Sequence, residues 1–256
     1  MLCRVGCDWP VRSSQTAGLE QPISEETREA ATRIAIADQI EAGLCPISDG
    51  ETPRISFIVG FYRHLTGIEF GPSPRKIGPP HWDTEQRMVA REPVQAPHGL
   101  GIVQDFKLAR ALTQHPLKVA CPGPVPLAMP LRPGDAYRTQ EALIADLVPI
   151  VNRELKSLVD AGATVIQIDE PNYNMPGKGD PQPWIASFNV AVAGVQASIH
   201  PHTCFGNLNN RPIAAPRLYE RLFPHVLQAK ASRLALEFAS REMAENRPQA
   251  AVSQRQ

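Results

Sequence analysis

Apolar positions along the chain follow two rhythms. From residue 102 onward, segments with apolar residues at helical spacing alternate with short apolar runs. They predict helix 102–114 (IVQDFKLARALTQ), strand 117–121, helix 136–162, strand 164–169, helix 184–198, strand 199–204, helix 217–230 and strand 233–238. Upstream, EETREAATRIAIADQIEAG keeps the same helical spacing to Gly43 with Ser24 as its N-cap, and short strands are expected at 44–49 and near 3–6. Between 52 and 100 the rhythm is lost. Aromatic residues and the Pro/Gly-rich GPSPRKIGPP there predict a hairpin or a lid. Strands alternating with helices imply βαβ units and a parallel sheet, so the fold class is α/β of the (β/α)8 TIM-barrel type, with about six of the eight strands present.

Composition narrows the partners. The chain has 256 residues, 43% of them hydrophobic, enough for one large core. Its 26 basic and 26 acidic residues cancel, leaving no net field to hold nucleic acid or an anionic membrane, so small-molecule substrates are expected. No apolar run approaches the roughly 20 residues of a membrane helix, and the first residues lack a signal-type hydrophobic segment. A cytoplasmic location is expected. Five cysteines, at 3, 7, 45, 121 and 204, are odd in number and scattered, the pattern of reduced thiols rather than of a disulfide framework.

Chemistry concentrates at the strand ends. Asp49 and Glu51, the Pro122-Gly123-Pro124 turn, Asp169 and Glu170, His202 and Cys204, and Glu237 each close a strand. One acid in such a place is commonly the cap of the next helix. Repetition over several strand ends points instead to the face where a barrel gathers its site. His202 and Cys204 stand at i and i+2, so on an extended backbone they project to one side and can grip one ion. Zinc suits the pair, with Glu237 as an oxygen ligand from the next strand; the plain alternative is a buried thiol beside a hydrogen-bonded imidazole.

IQIDEP (166–171), HTCFGN (202–207), LFPHVLQAKASRLALEFA (222–239), QIEAGLCPISDGE (39–51) and the PGP turn together resemble the cobalamin-independent methionine synthase family, in particular its short single-barrel members, over about residues 20–240. The resemblance implies a Zn2+-dependent methyltransferase that moves a methyl group to the thiol of homocysteine, forming methionine. It implies zinc ligands at His202, Cys204 and Glu237, and acids holding the substrate's amino group at Glu51 and Asp169. The donor is expected to be a methylated folate or a corrinoid protein. Residues 1–240 then form a single TIM-barrel-like catalytic domain lacking its last βα units, and 241–256 a polar, disordered tail.

Departures from the family pattern matter. Gly6-Cys7 aligns only loosely with a Gly-Ser strand that holds the substrate carboxylate, and Pro130 stands where larger members carry a tryptophan against folate. The family's fourth zinc ligand, a cysteine, and its acid/base histidine fall beyond the strands counted here. No catalytic acid or base is therefore assigned, and weak zinc binding and low turnover are expected. The rival readings are a uroporphyrinogen-decarboxylase-like, corrinoid-dependent thiol methyltransferase and an inactive truncated remnant.

Overall fold

Ser24 accepts the Thr27 amide on its hydroxyl at 3.2 Å and opens α1 (Glu25–Glu41), the cap the sequence predicts. The computed structural model describes residues 24–54, 58–76, 84–174, 180–208, 211–212 and 219–238. The strand expected near 3–6 and the tail 241–256 lie outside them. The irregular region is a long antiparallel hairpin, β1 (Thr66–Lys76) and β2 (Thr84–Gln95), whose ladder breaks register between Thr66 and Ile68 and again between Phe70 and Pro74. After it come α2 (Ile102–Leu112), β3 (Lys118–Pro122), the short α3 (Pro124–Ala128), and β4 (Leu131–Arg132), which pairs in parallel with β2. Next are α4 (Gln140–Asp160), β5 (Val165–Asp169), α5 (Gln182–Ala191) and β6 (Ser198–Thr203). A small antiparallel pair, β7 (Asn207–Leu208) and β8 (Arg211–Pro212), precedes β9 (Ala235–Leu236).

Strands β3, β5, β6 and β9 form a parallel sheet in that order, and Ile47 adds a parallel bridge to Leu117 on the β3 side. This is the curved wall of a barrel-type fold, five positions wide; closure of the barrel is not seen among the described residues. One face carries Ile166, Ile168 and Ile199, all within the buried core with Leu143, Leu147, Val151, Leu155 and Leu158 of α4. The other face is polar, because register partners share a face and Gln167 pairs with His200 and Asp169 with His202.

Three expectations are corrected. The strand at 44–49 shrinks to the single bridge at Ile47, since Pro46 has no amide to donate to a ladder. The helix at 217–230 is, over its described part, a set of turns ending in a 3-10 turn, His225–Gln228; Pro224 removes an amide and biases Phe223 away from the helical region. The strand at 233–238 pairs only through Ala235 and Leu236.

A buried carboxylate ties two of the βα units together. Glu154 of α4 is 3% exposed and accepts the amides of Leu100 (2.8 Å), Ile102 (3.0 Å) and Val103 (3.3 Å). Gly101, at the N-cap of α2, has no side chain to offer those amides, so a neighbouring helix supplies the acceptor. Its negative charge also complements the helix start. Gly99, at φ 78°, must be glycine, as a Cβ there would overlap the Glu154 carboxylate. Replacing Glu154 by Ala strands three amides, and urea unfolding is expected to show a loss of about 3 kcal/mol or more. Glu154→Gln, which keeps one acceptor oxygen, is expected to lose less than half as much.

Candidate active site at the strand ends

Parallel register lines up the ends of the wall. Pro122 pairs with Asp169, Asp169 with His202, and His202 with Ala235. The ladder continues one step further, where Gly123 donates its amide to the Asp169 carbonyl at 3.0 Å and Glu170 donates to the His202 carbonyl at 2.7 Å. Along the polar face a relay of hydrogen bonds runs across three strands. Lys118 Nζ donates to Gln167 Oε1 (2.7 Å), Gln167 Nε2 donates to Asp169 Oδ1 (2.7 Å), and the same oxygen meets His202 Nδ1 at 2.9 Å. Asp169 is 1% exposed, and its second oxygen, Oδ2, is buried without a hydrogen-bond partner. That oxygen is an acceptor waiting for a donor.

His202 is tuned by this arrangement. Burial works against its charged ring, but hydrogen bonds to Asp169 and Cys204, together with the charges of both, carry its pKa up to about 10. The structure thus brings His202 and Cys204 together, as their spacing predicts. Glu51 joins the same electrostatic neighbourhood: burial raises its pKa, Arg54 opposes, Asp169 and Asp49 add to the rise, and His202 lowers it. Glu51 sits at φ 55°, unusual for a residue with a side chain, and donates its amide to Asp49 Oδ1 at 2.9 Å. Glu237 lies just past β9, where its Oε2 accepts the amide of Phe205, the residue after Cys204, at 3.1 Å. The Tyr219 hydroxyl accepts the Glu237 amide (2.7 Å) and donates to the Glu237 carbonyl (2.9 Å), fixing the backbone there. Among the described residues no group of three or more His, Cys, Asp or Glu side chains is placed to hold a metal ion, so His202, Cys204 and Glu237 do not stand together here as the ligand set the resemblance implies.

The adjacent acids Asp169 and Glu170 part company. Strand alternation turns Asp169 to the polar face and sends Glu170 into the core, where it is 0% exposed and burial pushes its pKa well above the carboxylate range. Neither oxygen has a hydrogen bond of normal geometry, although the Tyr173 hydroxyl and the Val125 amide lie near enough to oppose the rise. The carboxyl occupies the space over Gly123, and a Cβ at that position would overlap it.

A small pocket is lined by Arg54, Gly60, Phe61, Arg63, Leu100 and Asp105. Asp105 is 8% exposed, and burial first, then the charge of Asp49, raises its pKa to about 6 against the opposing arginines 54, 28 and 63. Gln167, Lys118 and Arg54 were not singled out in the sequence. Gln167 was visible in principle, being a polar residue two before Asp169 and so on its face.

Fold and site together define an α/β barrel-type protein with sulfur, imidazole and carboxylate groups gathered at the strand ends. Residues 10–245 match the family described as cobalamin-independent synthase, catalytic domain. The chain belongs to that family. It is 30% identical over 191 residues to a methionine synthase of Saccharolobus solfataricus, covering 72% of this chain and 55% of that protein. It is 29% identical over 226 residues to that of Sulfolobus acidocaldarius, covering 88% and 62%. The chain therefore spans little more than half the length of these relatives. A B12-independent methionine synthase from Shewanella, solved in complex with selenomethionine, superposes with a TM-score of 0.62 at 31% identity, over 72% of this chain and 54% of that one. A Listeria monocytogenes structure with a TM-score of 0.54 and 19% identity, over 90% and 88%, supports the fold alone. No helix among the described residues is long and apolar enough to cross a membrane.

Two outcomes are expected. Gly123→Ala alone is expected to destabilise by about 2 kcal/mol or more, and far less in a Glu170→Ala background, so a double-mutant cycle in urea reads the overlap directly. Asp105 holds its proton more tightly folded (about 6) than at its ordinary value of 3.8. Its contribution therefore favours the folded state at low pH and is lost as pH rises from about 4 to about 6. Asp105→Asn is expected to remove that downward slope from a stability-versus-pH curve, worth up to about 3 kcal/mol at 1.36 kcal/mol per unit.

Proposed function

We propose that this chain binds homocysteine and zinc at the strand ends and transfers a methyl group to the homocysteine thiol, forming methionine. The observation that carries the reading is the row Asp169–His202 with Cys204 and Glu51 beside it, in a chain of this family. The Shewanella relative, solved with selenomethionine, supports an amino-acid product of this shape. The relatives' cobalamin-independent chemistry favours a methylated folate as donor over a methylated corrinoid protein.

The donor types suit zinc, an imidazole, a thiol and a carboxylate from neighbouring strands, and to hold an ion Glu237 would have to turn its Oε2 from the Phe205 amide toward His202 and Cys204. Asp169 takes Nδ1 of His202, which fixes the ring, and a metal would take the other nitrogen, Nε2, displacing the proton that the raised pKa keeps on the ring. His202, Cys204 and Glu237 would hold the ion, and its chemistry is to ionise the substrate thiol near neutral pH. Asp169 Oδ2 and the Glu51 carboxylate offer acceptors to the substrate ammonium. In the reaction the sulfur forms a bond to the methyl carbon, the methyl–nitrogen bond of the folate breaks, and the thiol's proton is balanced by one taken up at the donor.

The full chain is expected to bind zinc more tightly with homocysteine present, and His202→Ala and Cys204→Ala are each expected to weaken zinc binding about tenfold or more. Metal analysis with competing chelator reads this. Unchanged zinc affinity in both variants would overturn the metal assignment; no methionine above the level of His202→Ala, with methylated folate supplied, would overturn the activity.

A further inference from the structure

Arg54 is the least expected member of the site. Its side chain is 5% exposed, and its Nη1 lies 3.2 Å from Glu51 Oε1. Nη2 donates to the Ala120 carbonyl in β3, two residues before Pro122. The guanidinium stacks over Phe61, 5.2 Å from the ring centroid, and Asp105 lines the same small pocket. One flat cation thus joins the loop after Ile47 to the β3 edge of the wall.

Glu51 needs such an anchor. A side chain at φ 55° persists only where the surroundings over-determine it. Three ties do so: the Glu51 amide on Asp49 Oδ1, the Arg54 amide on the Glu51 carbonyl at 3.1 Å, and the Arg54 guanidinium on the Glu51 carboxylate. Only the last sets where the carboxylate points. We propose that Arg54 is a positioning residue that aims Glu51 at the ammonium of an α-amino-acid substrate; this rests on the functional reading above. Nη2 holds the Ala120 carbonyl while Nη1 faces the Glu51 carboxylate as an ion pair without a hydrogen bond of normal geometry, a two-nitrogen arrangement that a lysine ammonium does not reproduce.

The test uses the full chain with zinc and two probes, homocysteine and 4-mercaptobutyrate, its analogue without the amino group, followed by calorimetric titration. Arg54→Met is expected to weaken homocysteine binding about tenfold and leave 4-mercaptobutyrate binding and zinc affinity unchanged, with Arg54→Lys in between. Equal weakening of both probes, or no weakening of either, overturns the proposal. If Arg54→Met does not fold, the same comparison is made with Arg54→Lys. If the wild-type chain binds neither probe, the homocysteine reading fails, and hydrogen exchange of segment 48–54 decides the role of Arg54. Faster exchange confined to that segment in the variant sustains its hold on Glu51, and unchanged exchange ends it.

Discussion

The register of four parallel strands is the constraint on which the site depends. Because Pro122, Asp169, His202 and Ala235 stand opposite one another, and because the amides of Gly123 and Glu170 continue the ladder past the strand ends, the reactive groups share one level of the wall. A slip of one residue in any of these strands would turn its polar side chains into the core and its isoleucines toward the mouth. The buried rows of Ile166, Ile168 and Ile199 against α4 hold that register more firmly than the polar groups do, since apolar burial is the larger stabilising force.

Buried carboxylates in this chain differ in the donors their surroundings supply. Glu154 is buried and its two oxygens receive three amides, so its acceptors are met within the protein. Glu170 is buried with no such set of donors, and burial favours its neutral form. Asp169 has one oxygen crowded with donors and one without any. The first caps a helix start, the second fills space over Gly123, and the third keeps one buried oxygen without a hydrogen bond.

Much of this was legible in the sequence. Long helices with strong periodicity and a capping residue, α1 and α4, were readable because local chemistry alone starts them. β5 was readable because a β-branched run ends sharply at acids, and β6 because a short strand-like run closes at His202 and Cys204. The Ser24 cap, the His202–Cys204 pairing and the nearness of Glu51 to Asp169 all followed from spacing or from family likeness. What stayed hidden depends on contacts distant in sequence. Nothing local says that Glu154 caps a helix more than 40 residues earlier or that Arg54 reaches Ala120. Nothing local separates the fate of Glu170 from that of Asp169. Proline explains two errors, since Pro46 and Pro224 interrupt runs whose apolar pattern otherwise reads as regular structure.

The hairpin arm carries a consequence for how the chain behaves in company. β1 is eleven residues long and forms the outer strand of its three-stranded sheet, the kind of surface on which a second copy readily adds a strand of its own. Pro72 and Pro74 remove two amides from that border, and the two breaks in pairing spoil its repeat. A strand approaching this border among the described residues finds an interrupted template.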